Sequence, residues 1–262
     1  MHNPYLTRPF RIQAVTRQTT IDWTFRLESD LTPGFGQFLE VSLPGLGEAP
    51  ISISDFGPGW LDLTIRNVGR VTGGIFTLRP GDTLHARGPY GHGFELDTYR
   101  NKNLLLVTGG TGLAPVKSLI RHVIAHRHEV AGFALILGFK SPADVLFGEE
   151  IAAWGDNANV ILTVDRGDDT WRGQTGLVTH HIEQFAFQPG PTEAIVVGPP
   201  LMMKFSTLAL LQRGLPETAI TVSFERKMSC GLGKCGHCKI DETYVCLEGP
   251  VFNYVKARQL LD

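Results

Sequence analysis

The stretch LLLVTGGTGLAPVKSLI, residues 104–120, decides the fold of the second half of the chain. Its first four residues are apolar without alternation, which is typical of a parallel strand buried on both faces. Beyond Pro115, which suits a first helical turn, apolar residues recur at helical spacing. The strand and the helix are joined by Gly109, Gly110, Thr111 and Gly112. The stretch therefore predicts a strand, a glycine turn and a helix whose free N–H groups suit a pyrophosphate.

The same alternation of apolar runs and helical patterns continues to about residue 224. Strands that alternate with helices predict βαβ units and a parallel sheet. A second turn, VVGPPLMMKF, places Gly198 and Pro199 between a buried strand and a helix. Ligands of such sheets bind at the carboxyl ends of the strands, where both turns lie. Neither turn has the G-x-G-x-x-G fingerprint, so tight turns without a ligand remain an alternative.

The chain before this region is predicted to be a β-barrel. Between residues 8 and 98, short alternating runs such as DWTFRLES and LDLTIRN are separated by turn signals such as RPGD. Strands at this spacing favour a closed antiparallel barrel. One helical turn is expected, at Gly73–Leu78. The predicted domains are 1–99 (barrel), 100–224 (parallel α/β) and 225–262 (a C-terminal segment too short for its own core).

All four cysteines of the chain lie in the C-terminal segment, in SCGLGKCGHCKIDETYVC. They are Cys230, Cys235, Cys238 and Cys246. The C-x4-C-x2-C spacing with a more distant fourth cysteine is the plant-type arrangement for a 2Fe–2S cluster. Zinc sites use four cysteines too, usually as C-x2-C pairs. A zinc-ribbon nucleotide-binding regulatory module is therefore the alternative of another class.

Composition excludes several other functions. The net charge of −2 gives no basic excess for nucleic acid. No apolar run reaches the ~18 residues of a membrane span, and the first residues lack the apolar core of a signal peptide. We therefore expect a cytoplasmic protein without membrane contact. Thiols stay reduced in the cytoplasm, which favours a metal site over disulfides.

The predicted nicotinamide and iron–sulfur cofactors exchange different numbers of electrons. Nicotinamide carries hydride, whereas an iron–sulfur cluster takes one electron at a time. A flavin converts between the two, so we expect a flavin site in the barrel. The strings GEAPISISDFG, GGTGLAPVKSLI, VVGPPLMMKF and YVCLEGPVFNY, with the cysteine segment, resemble the ferredoxin-NAD(P) reductase superfamily. In that superfamily an FAD-binding barrel precedes a nicotinamide-binding α/β domain.

The resemblance implies which barrel residues hold FAD. The flavin motif R-x-Y-S of the superfamily reads Ala49-Pro50-Ile51-Ser52 here, so Ser52 takes the place of the residue that hydrogen-bonds flavin N5. The motif's arginine is absent, and Arg66 is the candidate replacement because a guanidinium fork suits phosphate. The implied cofactor-binding residues of the barrel are Pro50, Ile51, Ser52, Thr64, Ile65, Arg66, Val71 and Thr72.

The resemblance also implies a partner and an electron donor. It extends to iron–sulfur flavoprotein electron-transfer subunits, most fully to those of anaerobic sulfite reductases. The expected partners are therefore siroheme-containing and ferredoxin-like sulfite reductase subunits, with dihydroorotate dehydrogenase or a soluble hydrogenase as alternative acceptors. The donor is predicted to be NADH, with NADPH the alternative, because Asp165 beside Arg166 would repel a 2′-phosphate. No acid–base residue is predicted, since hydride transfer needs alignment more than a base.

Overall fold

The computed structural model describes residues 3–260. These divide into two compact units. The first comprises residues 3–94, 114–118 and 224–251, and the second comprises 95–113, 119–223 and 252–260. The segment that carries the cysteines therefore groups with the N-terminal part of the chain.

The first unit is built around a closed antiparallel barrel, as the sequence predicts. Its strands follow the order β1-β2-β5-β4-β3-β6. They are β1 (Arg8–Arg17), β2 (Asp22–Glu28), β3 (Phe38–Leu43), β4 (Gly47–Gly57), β5 (Trp60–Arg66) and β6 (Thr83–Tyr90). Alternate side chains fill the interior with residues such as Phe25, Leu39 and Leu63, all fully buried.

The short helix of the barrel begins earlier than the sequence predicts. It is α1 (Arg70–Ile75), whereas the pattern predicts Gly73–Leu78. The Thr72 hydroxyl accepts hydrogen bonds from the amides of Val68 and Gly69, at 3.1 and 3.0 Å, and so caps the first turn. Side-chain capping of this kind leaves no trace in apolar periodicity, which is why the pattern places the start too late.

The second unit contains the predicted parallel sheet, in the order β10-β9-β8-β7-β11-β12-β15. Its strands are β7 (Asn103–Gly109), β8 (Gly132–Phe139), β9 (Asn159–Val164), β10 (Gln174–Thr175), β11 (Thr192–Val197), β12 (Ile220–Ser223) and β15 (Val251–Asn253). The connecting helices are α2 (Ala114–Ala125), α3 (Gly148–Trp154), α4 (Val178–Gln184) and α5 (Pro200–Gln212). Every residue of β7 is buried, as expected of a central parallel strand.

The cysteine segment has little regular structure. It forms the two-stranded sheet of β13 (Lys239–Ile240) and β14 (Thr243–Tyr244), followed by α6 (Val245–Glu248), and the described chain closes with α7 (Tyr254–Ala257). The segment is tied to the barrel, since the His92 amide donates to the Gly249 carbonyl at 2.7 Å. The barrel is thus the support for the cysteine ligands.

Candidate functional site

The two glycine turns of the second unit lie against each other. Thr108 of β7 pairs with Val197 of β11, so both strands end at one edge of the sheet. A Cβ on Gly112 would collide with the Val197 carbonyl, and a Cβ on Gly198 would lie 3.0 Å from the Gly109 amide nitrogen. The backbone itself therefore forms this edge, and main-chain N–H groups at such a strand-to-helix turn suit a pyrophosphate.

Three other predicted residues lie at this edge of the sheet. Gly110 and Thr111 form a single 3₁₀ turn that leads into α2, and Pro199 is exposed beside Gly198. The sulfur of Met202 is the nearest heavy atom to a Cβ built on either Gly109 or Gly198. Methionine fills such irregular gaps well. Met202 therefore packs against both turns. The helical spacing of Met202 in the sequence does not by itself predict this contact.

Asp165 and Arg166 follow β9 and are both exposed. Their amides donate to the carbonyls of Phe139 and Lys140, at 2.9 and 3.1 Å, which fixes the loop against the end of β8. Partial burial raises the pKa of Asp165, while Lys140 and Arg166 oppose the shift. Lys140 is a basic neighbour that no sequence pattern selects, because it follows a different strand.

The predicted flavin residues lie on three elements of the first unit. Pro50, Ile51 and Ser52 are half-buried on β4, where Ser52 is opposite Phe38 of β3. Within residues 3–260 the Ser52 hydroxyl makes no side-chain hydrogen bond, so it is available to a ligand. Val71 lies in the first turn of α1, next to the capping residue Thr72.

Several of these side chains are already engaged within the barrel. Ile65 is fully buried in the core, so only its backbone is available to a ligand. The Thr64 hydroxyl donates to Ser54 at 2.9 Å. Arg66 is paired with Asp22 through Nε and Nη2, at 2.8 and 3.0 Å. Arg66 is therefore already a structural partner of Asp22 within the barrel.

Two of the four cysteines have a pKa that is shifted by their surroundings, neighbouring thiols among them. The His237 backbone, and to a lesser extent the Cys230 side chain, hydrogen-bond to Cys235 and lower its pKa. Burial, and then contact with the Cys238 side chain, raises the pKa of Cys246 to about 12. Among the described residues, no three His, Cys, Asp or Glu side chains converge on a single ion position. Four cysteines can bind either a 2Fe–2S cluster or one zinc, and the C-x4-C-x2-C spacing favours the cluster.

Backbone amides surround the sulfur atoms. Cys230 Sγ accepts from Leu232 and Lys234, at 3.3 and 3.4 Å, and Cys246 Sγ accepts from Gly233 at 3.2 Å. Gly231 and Gly233 have φ values of 70° and 65°, a conformation that other residues adopt only with strain. Amides aimed at sulfur stabilise thiolates and tune the potential of a cluster. The donor set and its surroundings therefore fit an iron–sulfur cluster.

Only one cysteine of the four is exposed. Cys235 faces solvent, whereas Cys230, Cys238 and Cys246 are buried. Leu247, next to Cys246, is half-exposed and packs on Gly233.

Arg87 is a residue of this site that sequence reasoning missed. It lies on β6, is buried, and donates to the carbonyl oxygens of Ser229 and Cys230, at 2.7 and 2.6 Å. It also holds Glu48 of β4 at 2.6 Å. The string RGPYGHGF carries no signal for this role, because an arginine on an outward strand position is normally solvated.

Two regions of the chain match known protein domains. Residues 106–207 match the oxidoreductase NAD-binding domain, and residues 225–257 match the iron–sulfur cluster binding domain of dihydroorotate dehydrogenase B. The chain is 37% identical to sulfhydrogenase 1 subunit gamma of Pyrococcus furiosus, over 92% of this chain and 84% of that protein. The chain belongs to the family of this subunit. It is an NAD(P)H oxidoreductase electron-transfer subunit, which excludes the regulatory zinc module.

Other members of the family support the same assignment. Sulfhydrogenase 2 subunit gamma of the same organism is 36% identical over 96% of each chain. A probable dihydroorotate dehydrogenase B electron transfer subunit, also from Pyrococcus furiosus, is 32% identical over 91% of this chain and 85% of its own length. These relatives are named for hydrogenase and dihydroorotate dehydrogenase, so a sulfite reductase partner stays a prediction.

A solved structure shares the fold. It is described as an NADH-dependent reduced ferredoxin-NADP oxidoreductase used in flavin-based electron bifurcation, with a TM-score of 0.79 and 25% identity. The match covers 97% of this chain and 90% of that chain. The ferredoxin reductase-like fold predicted from the sequence is therefore confirmed. No helix within residues 3–260 is long and apolar enough to cross a membrane.

Proposed function

We propose that the chain oxidises NADH with a bound FAD and delivers single electrons through a 2Fe–2S cluster to a partner catalytic subunit. The observation that carries this proposal is the set of backbone amides that donate to the sulfur atoms of Cys230 and Cys246 in the four-cysteine segment. A nicotinamide domain and an iron–sulfur domain on one chain need a two-electron to one-electron converter, and FAD supplies that chemistry when bound.

The first unit offers residues suited to FAD. Ser52 presents a free, half-buried hydroxyl at the place that the family resemblance gives to the flavin N5 partner. Val71 presents a main-chain N–H in the first turn of α1, where partial positive charge favours a pyrophosphate. Arg66, whose guanidinium also holds Asp22, is the proposed contact to the pyrophosphate. A flavin is also named for the solved structure of the same fold.

The second unit holds the nicotinamide nucleotide. Gly109, Gly112 and Gly198 let the two turns pack closely at the carboxyl edge of the sheet, because a Cβ there would collide with Met202 or the Val197 carbonyl. Asp165 accepts hydrogen bonds from a free ribose hydroxyl and repels a 2′-phosphate, so NADH is the proposed donor. Gly110, Thr111 and Pro199 complete the proposed contacts.

Three kinds of partner subunit are candidates. The motifs described above favour sulfite reductase subunits with siroheme-containing and ferredoxin-like chains. The chain has only four cysteines, all in the proposed cluster site, so sulfite chemistry would occur on another subunit. A soluble hydrogenase is a second candidate, supported by 37% identity to a sulfhydrogenase subunit, and dihydroorotate dehydrogenase is a third.

One purification tests the whole proposal. The chain is isolated anaerobically from its native cell with its partners attached, and the complex is assayed for NADH-dependent reduction of sulfite, protons and orotate. We expect the complex to reduce sulfite and the isolated chain to reduce only artificial dyes. Sulfite reduction by the isolated chain would contradict the proposal that another subunit carries out that reaction. A colourless chain without flavin would contradict the electron-transfer role itself.

A further inference from the structure

Arg87 connects the barrel to the first cluster ligand. Its Nη1 atom donates to the Cys230 carbonyl at 2.6 Å and its Nη2 atom donates to the Ser229 carbonyl at 2.7 Å. Its side chain is only 4% exposed. Cys230 and Arg87 are 143 positions apart in the chain. The guanidinium is therefore a buried positive charge that is hydrogen-bonded to the backbone of a proposed cluster ligand.

Two carboxyl groups face this charge. Glu48 of β4 is 2.6 Å from Arg87 and partly exposed. Glu40 of β3 is directly opposite Arg87 of β6, is fully buried, and has no hydrogen-bond partner for either oxygen within residues 3–260. Tyr90 completes the group, since its hydroxyl accepts from Arg87 and donates to the Pro4 carbonyl. The ring of Tyr90 also lies under Gly231 of the cluster segment.

The charge on Arg87 is secure at any ordinary pH. Burial lowers the pKa of Arg87, but hydrogen bonds to Glu48 and Tyr90 outweigh it and keep that pKa above its usual value. Burial raises the pKa of Glu40 to about 7, an effect that Arg87 opposes and that Glu48 and Cys230 reinforce. The cluster segment thus rests on a buried cation whose counter-charge, Glu48, is partly exposed to water.

We propose that Arg87 is a positioning residue that clamps the Ser229–Cys230 turn to the barrel and raises the reduction potential of the cluster. The inference rests on the proposed iron–sulfur function. One-electron reduction adds one negative charge beside the guanidinium, and no bond forms or breaks. A fixed positive charge in a dehydrated site stabilises that added charge more strongly than it would in water.

The positive charge of Arg87 and its hydrogen bonds to the two carbonyls have effects that variants can separate. Arg87→Gln removes both and lowers the potential. Arg87→Lys keeps the charge but lacks the fork that reaches two carbonyls, so it keeps most of the potential and loses thermal stability. Glu48→Gln removes a counter-charge and raises the potential. A residue whose role is only structural does not produce shifts of opposite sign from Arg87 and Glu48.

The test is an EPR-monitored redox titration of the purified holoprotein at one fixed pH, with iron and acid-labile sulfide measured on each sample. For Arg87→Gln, the ratio of reduced to oxidised cluster at a given ambient potential should fall about tenfold, which is 59 mV for one electron. The control is Arg26→Gln, because Arg26 pairs with Asp62 on β5 and, within residues 3–260, makes no hydrogen bond or ion pair to the cluster segment. It should leave the potential unchanged.

The outcomes are distinguishable. Wild-type protein without iron and sulfide would end the proposed function before the variants are compared. A wild-type cluster whose potential is the same in Arg87→Gln and Glu48→Gln would overturn this inference alone. If Arg87→Gln fails to fold, Glu48→Gln and Arg87→Lys decide: a rise in the first and a near-native value in the second support the inference. No rise in Glu48→Gln refutes it.

Discussion

Arg66 and Asp22 form a two-point ion pair across β5 and β2, with Nε and Nη2 of the arginine at 2.8 and 3.0 Å from the two carboxylate oxygens. The Asp22 side chain is fully buried, and the Thr19 hydroxyl also donates to it, at 2.7 Å. The residue proposed to reach the FAD pyrophosphate is therefore also a structural member of the barrel. The two roles need separate measurements.

Arg66→Gln should destabilise the protein and weaken FAD binding. Loss of the guanidinium leaves Asp22 as an unpaired buried charge, which costs about 3 kcal/mol. Adding Asp22→Asn should recover most of the stability but not the FAD affinity, which should stay about tenfold lower because a charge-assisted contact worth about 1.5–3 kcal/mol is missing. Chemical denaturation and flavin fluorescence titration measure the two effects. Full recovery of FAD affinity in the double variant would remove Arg66 from the flavin site.

Glu40 should make stability depend on pH. Burial raises the pKa of Glu40 from 4.5 to about 7. Between pH 4.5 and pH 7 this carboxyl group is therefore protonated in the folded state and ionised in the unfolded state. Wild-type stability should therefore fall as pH rises from 4.5 through 7, by up to about 3 kcal/mol relative to Glu40→Gln. Denaturation midpoints at pH 5 and pH 8 test this. The exposed Glu28 provides a control as Glu28→Gln, which should not change the slope, and parallel curves for wild type and Glu40→Gln would contradict the prediction.

Cys238→Ser should abolish the cluster and leave the flavin. Wild-type protein should contain about two irons and two acid-labile sulfides per chain, as a 2Fe–2S cluster requires. The barrel core consists of barrel residues alone, so it does not depend on the cluster ligands. Metal analysis and flavin extraction are the measurements, with Ser229→Ala as the control in the same turn. One zinc per chain and no sulfide would refute the cluster assignment.

Gly112→Ala should weaken NADH binding at least about tenfold, equivalent to ~1.4 kcal/mol. The added methyl group meets the Val197 carbonyl, so the two turns must separate and the pyrophosphate amides move. Gly148→Ala is the matched control, because a Cβ there meets nothing within 4 Å. Calorimetric titration of NADH measures the change. Equal affinities in the two variants would show that the turns do not form the nucleotide site.

Asp165→Ser should shift cofactor preference from NADH toward NADPH by about tenfold in the ratio of kcat/KM. The carboxylate that repels a 2′-phosphate is removed, while Lys140 and Arg166 remain beside the position. Asp169→Ser makes the same charge change in the same loop and should leave the ratio unaltered. A wild-type preference for NADPH would instead show that the two basic residues outweigh Asp165.

The sequence by itself determined the layers of the fold and the chemistry of the cysteines. Apolar periodicity located β7 and α2, because burial imposes a repeat that the composition of each element must satisfy. Ligand spacing identified the cluster segment, because the C-x4-C-x2-C pattern is a property of the local sequence alone. Gly109 and Gly198 marked the two turns, because a glycine between a buried strand and a helix indicates a tight turn.

Only the tertiary structure decided which charges are buried beside these sites. Glu40 and Arg87 occupy outward positions on barrel strands, where a local pattern predicts exposure to water. The cluster segment, 143 positions beyond Arg87, covers that face and removes the water. The Asp22 pairing of Arg66 likewise joins two strands 44 positions apart. Burial of a polar strand face depends on what the distant chain packs against it, and the residues of the strand carry no record of that contact.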